Sequence, residues 1–342
     1  SPAGSGDDWL DSESLVSLPI FALPTCLHPG QTGAVRVFEP RYLTLFRDQQ
    51  RQRQEAALAA ADPNNQPAAE RRAPPAPPAL RFGHVLAPDA APPALLEGSV
   101  GGLPSVGVYA RVTKVDEVQD GTLLVHYEGA RRFKLLAVDR DQAPYPVAAV
   151  QWYDDDTASR APQARADVDA LERDVFKSLA EVQRLSQRLG PSPSGAASGS
   201  GGGGGGGELL PPEVARFAPP PPPPAGGRST ADYLRAAGVP AGEAIAVWQR
   251  HGSVYGTPAA PKNSAADPYE HLREKVGKER RQELFSFAAA NCLELGLVER
   301  LALLLSQDTA ARLAYVAAAT RPYLSDLAAR VAVKGAVGGG GS

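Results

Sequence analysis

Apolar and polar residues along the first half of the chain alternate with the short period of β-strands. Leu18, Ile20 and Ala22 repeat at every second position, and Val35 and Val37 do so again after a Pro29-Gly30 turn. Pro40 then stands where a first-turn proline opens a helix. Tyr42, Leu45 and Phe46 follow at the i, i+3, i+4 spacing of one buried face. Strand signals resume at Arg81–Leu86 and continue through Val106–Val118, Thr122–Tyr127, Arg132–Val138 and Val147–Trp152. Asp120-Gly121 reads as a hairpin turn, and Glu128-Gly129 as a second turn. These short strands predict a compact, mostly antiparallel, barrel-like β domain with a core of Phe38, Tyr42, Val112, Val125, Phe133 and Val150.

At Val168 the period lengthens. Val168, Leu171, Val175, Leu179, Val182, Leu185 and Leu189 are three or four residues apart, which predicts an amphipathic helix ended by Gly190-Pro191. Helical patterning returns at Thr230–Ala237, Gly242–His251, Leu284–Leu295, Val298–Leu305 and Thr309–Val333. Asp308 or Thr309 is placed to cap the last of these, and Pro322 to kink it. Leu171, Val175, Leu301 and Leu313 are the expected helical core. Gln49–Pro78 has no apolar period and reads as a surface insert. Gly201–Gly207 reads as a flexible linker and Pro219–Pro224 as a polyproline rod, with Leu209–Phe217 between them as an apolar island expected to dock.

The expected organisation is therefore a flexible 1–16, a β domain over 17–156 with an insert at 49–79, a helical bundle over 160–335 with a low-complexity insert at 191–228, and a flexible tail over 336–342. The fold class is α+β. Composition agrees: Gly (34) and Pro (33) make up about a fifth of the 342 residues, against roughly an eighth in ordinary chains.

Charge and motif content narrow the function. The formal net charge is −3 and the isoelectric point about 6.0, which is not the basic footprint of a nucleic-acid coat. No stretch of about 18 apolar residues occurs to span a membrane. Cys26 and Cys292 are far apart with no Cys-x-x-Cys pair, so each is expected to pack as a small apolar residue. The five His show no zinc spacing, and Asp154-Asp155-Asp156 reads as a solvated loop. Gly277-Lys278-Glu279 ends in an acidic residue where a phosphate loop needs a hydroxyl, and no Gly-x-Ser-x-Gly elbow is present. Neither a cofactor nor a metal is expected.

The ordered motifs carry a resemblance. Leu18-Pro19-Ile20-Phe21-Ala22-Leu23-Pro24, His28-Pro29-Gly30 and Phe38-Glu39-Pro40-Arg41-Tyr42 resemble the opening of the Lon protease N-terminal domain. Phe82-Gly83-His84-Val85-Leu86, Gly107–Val112, Gly129-Ala130-Arg131-Arg132-Phe133 and Tyr145-Pro146 continue in the family's order. So do Phe285-Ser286-Phe287-Ala288, Glu299–Leu304 and Ala311-Arg312-Leu313. The resemblance implies a PUA-like β domain followed by a helical bundle, and a role in engaging polypeptide. The sequence is similar to stand-alone Lon-domain proteins, without the ATPase loop or room for the Ser-Lys peptidase domain, so no catalytic residue is expected.

Each motif residue has a structural explanation beside a functional one. Pro29, Gly30, Glu39, Pro40, Arg41, Tyr42, Gly129, Arg132 and Phe133 read as structural, with Arg41 bonding backbone carbonyls or Glu39 and the Tyr42 ring buried. Strand alternation puts Arg132 and Lys134 on one solvated face and Arg131 on the other. Tyr109 and Tyr127 are the expected protein-binding side chains, on the open side of the sheet, together with the groove where sheet meets bundle. The expected role is a non-catalytic adaptor or chaperone-like factor in protein quality control, with polypeptide partners and weak self-association. RNA binding by the PUA-like sheet is the alternative. The first residue is Ser1 and not Met, and with the resemblance this gives an expected site in the chloroplast stroma after loss of a targeting peptide, the cytoplasm being the alternative.

Overall fold

The computed structural model describes residues 15–61, 79–141, 143–156, 162–189, 210–220, 269 and 276–338. It is an α+β structure. Six strands, β1 (Val16–Leu23), β2 (Thr32–Val37), β3 (Arg81–Leu86), β4 (Val106–Glu117), β5 (Leu123–Asp139) and β6 (Val147–Trp152), form one sheet in the order β2-β5-β4-β3-β1-β6. A further β5–β6 pairing closes the ring β5-β4-β3-β1-β6, so the sheet is a barrel with β2 added along β5. Only the β1–β3 pair is parallel among these strand pairings.

Closure needs β5 to serve two neighbours in turn, and a bulge allows it. Tyr109 pairs with Arg131 but Ala110 with Gly129, leaving Ala130 as the extra residue. One extra residue reverses the side-chain alternation. Val125 and Tyr127 ahead of it pack in the outer core, whereas Phe133 and Leu135 beyond it join the barrel interior with Leu18, Ile20, Val85, Tyr109 and Val150. The expected turn at Glu128-Gly129 is thus this bulge within one continuous strand. The Asp120-Gly121 hairpin is present: Gly121 adopts φ +78°, and Val118 N–H donates to Thr122 O at 2.8 Å.

Helix α1 (Pro40–Ala61) starts at the expected proline and covers the outer core through Tyr42, Leu45 and Phe46. The rings of Phe46, Phe21, Phe82 and Tyr127 meet edge to face, Phe46–Phe82 at 5.7 Å and Phe82–Tyr127 at 5.3 Å, and Tyr42 lies tilted on Phe21 at 4.1 Å. The helix runs on to Ala61, so residues 49–61 belong to it and not to an insert. Gln, Arg and Ala sustain a helix without an apolar face. Phe38 is not core either: it lies in the turn before α1, 68% exposed.

After the one-turn α2 (Pro93–Leu96), the further helices among the described residues are α3 (Pro162–Leu189), α4 (Pro212–Ala215), α5 (Lys278–Asn291), α6 (Leu297–Leu305) and α7 (Thr309–Gly338). Val168, Val175 and Leu179 of α3 pack with Phe285 and Ala289 of α5 and Leu313 and Val316 of α7. Of the expected Leu209–Phe217 island, Leu210, Val214 and Phe217 dock into this core, and Leu209 lies outside the described residues. Asp308 caps α7 by accepting the Ala310 N–H at 2.8 Å, and Pro322 lies inside that helix. The patterns at Thr230–Ala237 and Gly242–His251 lie outside the described residues. Cys26 is buried, but Cys292, expected to pack, is exposed just past the end of α5.

Helix α6 is shared. Its Leu301 and Leu304 enter the outer core of the barrel, while Leu303 enters the helical core. Barrel and helices therefore meet along α6.

Candidate functional site

Gly30, Gly129 and the residues around them gather at that seam. Gly30 adopts φ +78°, and its N–H donates to Gly129 O at 2.7 Å while Gly129 N–H donates to Gln31 O at 2.9 Å. A Cβ on Gly129 would lie 2.5 Å from the His28 carbonyl oxygen, so the bulge and the turn can approach only with glycine there. His28 shares hydrogen bonds with Asn291 Oδ1 and Arg300 O, both at 2.9 Å, and Arg300 donates to Cys26 O and to Gln31. From α4, Arg216 donates to Gly30 O and pairs with Glu128 at 2.8 Å. The turn after β1 is thereby tied to β5, α4, α5 and α6 at once.

A second cluster lies deeper. Arg132 is fully buried: its Nη1 donates to the carbonyls of Leu304 (2.8 Å) and Ser306 (2.6 Å), and its Nη2 to Asp155 and Glu283. Arg312 grips both oxygens of Asp155 and donates to Ser286 Oγ, and the Thr309 hydroxyl donates to the same carboxylate. Phe287 lies beneath both guanidiniums, 4.3 Å from Arg312 and 5.2 Å from Arg132. Two buried cations facing two carboxylates, one of which also accepts from Arg280 at 2.6 Å, make a charge-compensated lock in which the Arg132 Nε alone lacks a hydrogen-bond partner among the described residues. Arg131 bonds Asp154 at 2.9 Å and stacks on Trp152. The face shared by Arg132 and Lys134, expected to be solvated, is so only at Lys134, because the helices cover Arg132. Asp155, expected in a solvated loop, is the buried centre of the lock.

Tyr109 and Tyr127 are not a surface. Tyr109 is fully buried inside the barrel and Tyr127 is 6% exposed under α1. Closure of the sheet and the cover of α1 leave no open side at these positions. Arg41 bonds Glu39 at 2.9 Å and lies over the Tyr42 ring, whose body is buried; Pro40 opens α1, and Phe133 fills the barrel.

Two openings among the described residues bear on the site. One is a cavity of about 30 Å³ where sheet meets α6, lined by Cys26, Leu27, His84, Gly107, Leu301 and Leu304 among others. Thr25, Ser105 and His84 are polar residues of its lining; the buried His84 Nε2 has no partner among the described residues, and burial lowers the ring's pKa to about 4, so it is neutral at pH 7. The other is an open groove of about 460 Å³ between α1 and β4. Among the described residues, no group of three or more His, Cys, Asp or Glu could hold a metal ion. None of the described helices is long and apolar enough to cross a membrane.

The sequence profile of the ATP-dependent protease La (LON) substrate-binding domain matches residues 17–319, spanning barrel and helices together. The chain belongs to this family. Among solved structures, it is similar to a Lon N-terminal domain protein from Xanthomonas campestris, at 28% identity over 50% of this chain and 88% of that one, with a TM-score of 0.28. It is also similar to the N-terminal domain of a Lon protease from the Mycobacterium avium complex, at 12% identity over 90% and 98% of the two chains, with a TM-score of 0.39. No curated protein matches it. In this LON-domain chain Gly30, Gly129 and Arg132 sit at the seam and Tyr42 and Phe133 in its cores, while Arg41 lies exposed and Glu39 half-buried at the start of α1. Sequence reading places Asp155 in a solvated loop and gives Glu283, Arg312 and His84 no role of their own; the apolar neighbours of Arg312 and His84 are a local sign of their burial.

Proposed function

We propose that this chain is a non-catalytic polypeptide-binding module that serves as an adaptor or chaperone-like assembly factor in protein quality control. The observation that carries the reading is the family match, because it runs through both the barrel and the helices and concerns substrate binding. The surface supports it. The groove between α1 and β4 falls within the volume range of ligand sites and lies open along a strand. Polypeptide ranks ahead of RNA on one further ground: Arg131 and Arg132 are spent on Asp154, Asp155 and Glu283, leaving no basic stripe on that part of the sheet.

Titration of the chain with labelled unfolded casein and with labelled RNA, each at low and high salt, tests the reading. Casein binding that survives salt is expected. RNA binding with a steep salt dependence, and none of casein, would overturn it. Weak self-association and a place in the chloroplast stroma complete the proposal. Sedimentation over a concentration series tests the first, and cell fractionation the second, where a purely cytosolic signal refutes the plastid site.

A further inference from the structure

The open groove has a strand for one wall. β3 begins at Arg81, which pairs with Arg111, and the last rung between the two strands is the Val112 N–H donating to Leu80 O at 2.9 Å. β4 continues to Glu117, paired with β5 on its other side. Beyond Val112, no strand among the described residues pairs with its outer edge. Val118 N–H points at Thr122 O on the β5 side, so strand alternation turns the main-chain N–H and C=O of Val115 and Glu117 outward. An edge of this kind is a template for another strand. The chain leading into Leu80 reads Ala73-Pro74-Pro75-Ala76-Pro77-Pro78, four residues of which have no N–H to give to a ladder.

The rest of the groove matches the same kind of guest. Leu80, Val112 and Val115 supply apolar lining, and Gln50, Arg53 and Gln54 of α1 form the facing wall. Gln49 of the same helix already treats a free strand backbone as a partner: its Nε2 donates to Arg81 O and its Oε1 accepts Arg81 N–H, both at 2.7 Å. The charged residues lining the groove are Arg53 and Lys114, one on each wall and both cationic. Lys114 shares Asp116 at 2.8 Å, and Arg53 has no ion partner among the described residues.

From the free edge, the apolar floor and the paired cations, we propose that the outer edge of β4 takes an extended, acidic segment of a client polypeptide as an added strand, a mode that rests on the polypeptide-binding reading above. Main-chain hydrogen bonds to Val115 and Glu117 hold the segment, alternate apolar side chains enter the floor, and its carboxylates lie between Arg53 and Lys114.

Anisotropy titrations of the full chain with two synthetic peptides, one alternating Val and Glu and one alternating Val and Lys, test this. The Val-Glu peptide is expected to bind roughly tenfold or more tightly than the Val-Lys peptide. Arg53→Glu with Lys114→Glu, both exposed positions, should reverse that preference. Glu117→Pro removes an outward N–H and should weaken Val-Glu binding, whereas Glu117→Ala should not. Equal binding of the two peptides, no binding of the Val-Glu peptide, or indifference to Glu117→Pro and to the charge reversal would overturn the proposal. Unfolded casein held equally by wild type and all variants would overturn the edge site alone. Casein not held by the wild type would overturn the polypeptide reading and the site with it.

Discussion

Asp155 and Arg312, 157 residues apart in sequence, meet as a buried two-pronged ion pair that fastens α7 to the end of the barrel. Asp155 follows the last strand and also accepts from Arg132 on β5, so one carboxylate joins the two halves of the fold. Burial pushes the Asp155 carboxyl up, but the bonds and charges of Arg312 and Arg132, with the Thr309 hydroxyl, more than offset this and hold it below its ordinary 3.8.

Asp155→Asn is therefore expected to destabilise the protein by ~3–5 kcal/mol, since it leaves two buried guanidiniums short of countercharge. Urea unfolding checks this, and a loss below ~0.5 kcal/mol, the range of an ordinary surface change, would contradict the lock. Because the folded carboxyl titrates below the unfolded one, its contribution is full above pH 3.8 and is lost as pH falls further.

The two buried histidines act in a higher pH window. Desolvation lowers both His28 and His84 from 6.5 to about 4. Between those values the unfolded chain binds protons that the folded one refuses, so stability is full above pH 6.5 and falls as pH drops toward 4. A melting temperature followed across this range should decline, and His84→Leu should make the decline shallower. The same substitution removes an unpartnered buried nitrogen, worth ~1–3 kcal/mol, and should raise the melting temperature at neutral pH. A lowered one would mean that Nε2 has a partner.

Gly129→Ala places a methyl group 2.5 Å from the His28 carbonyl oxygen, a backbone atom that cannot swing aside. A loss of ~1–3 kcal/mol is expected in thermal or urea unfolding. Gly98→Ala, with nothing within 4 Å of the new methyl, is the control and should stay within ~0.5 kcal/mol.

Phe133→Ala empties the barrel interior and should cost ~3–5 kcal/mol, and a change below ~1 kcal/mol would contradict its burial. Tyr109→Ser and Tyr127→Ser should likewise lower the melting temperature by many degrees. Unchanged melting with lost client binding would contradict the placement of both rings.

Elements with a regular period were legible in the sequence. Tyr42, Leu45 and Phe46 announce the buried face of α1 by spacing, Asp120-Gly121 announces its hairpin, and Leu210, Val214 and Phe217 stand out as an apolar island that must dock. What escaped depends on contacts between distant residues. Tyr109 and Tyr127 alternate as in any half-exposed strand, and only barrel closure and α1 bury them. One bulge residue, Ala130, decides which way Arg132 faces, and Gly129 looks like a turn when read alone. Asp155 looks solvated until Arg132 and Arg312 converge on it. Phe38 looks like core by type, yet it falls in a turn that nothing covers among the described residues. The free edge of β4 becomes visible only when β3 is seen to start at Arg81.

The claim that this chain holds polypeptide without cutting it is tested most directly by one run. The purified chain is incubated with fluorescein-labelled unfolded casein and Mg-ATP, then separated by size with the label followed throughout. The account predicts that the label moves with the chain and stays at full length. Label that migrates free of the chain, or that appears as small fragments, would contradict it.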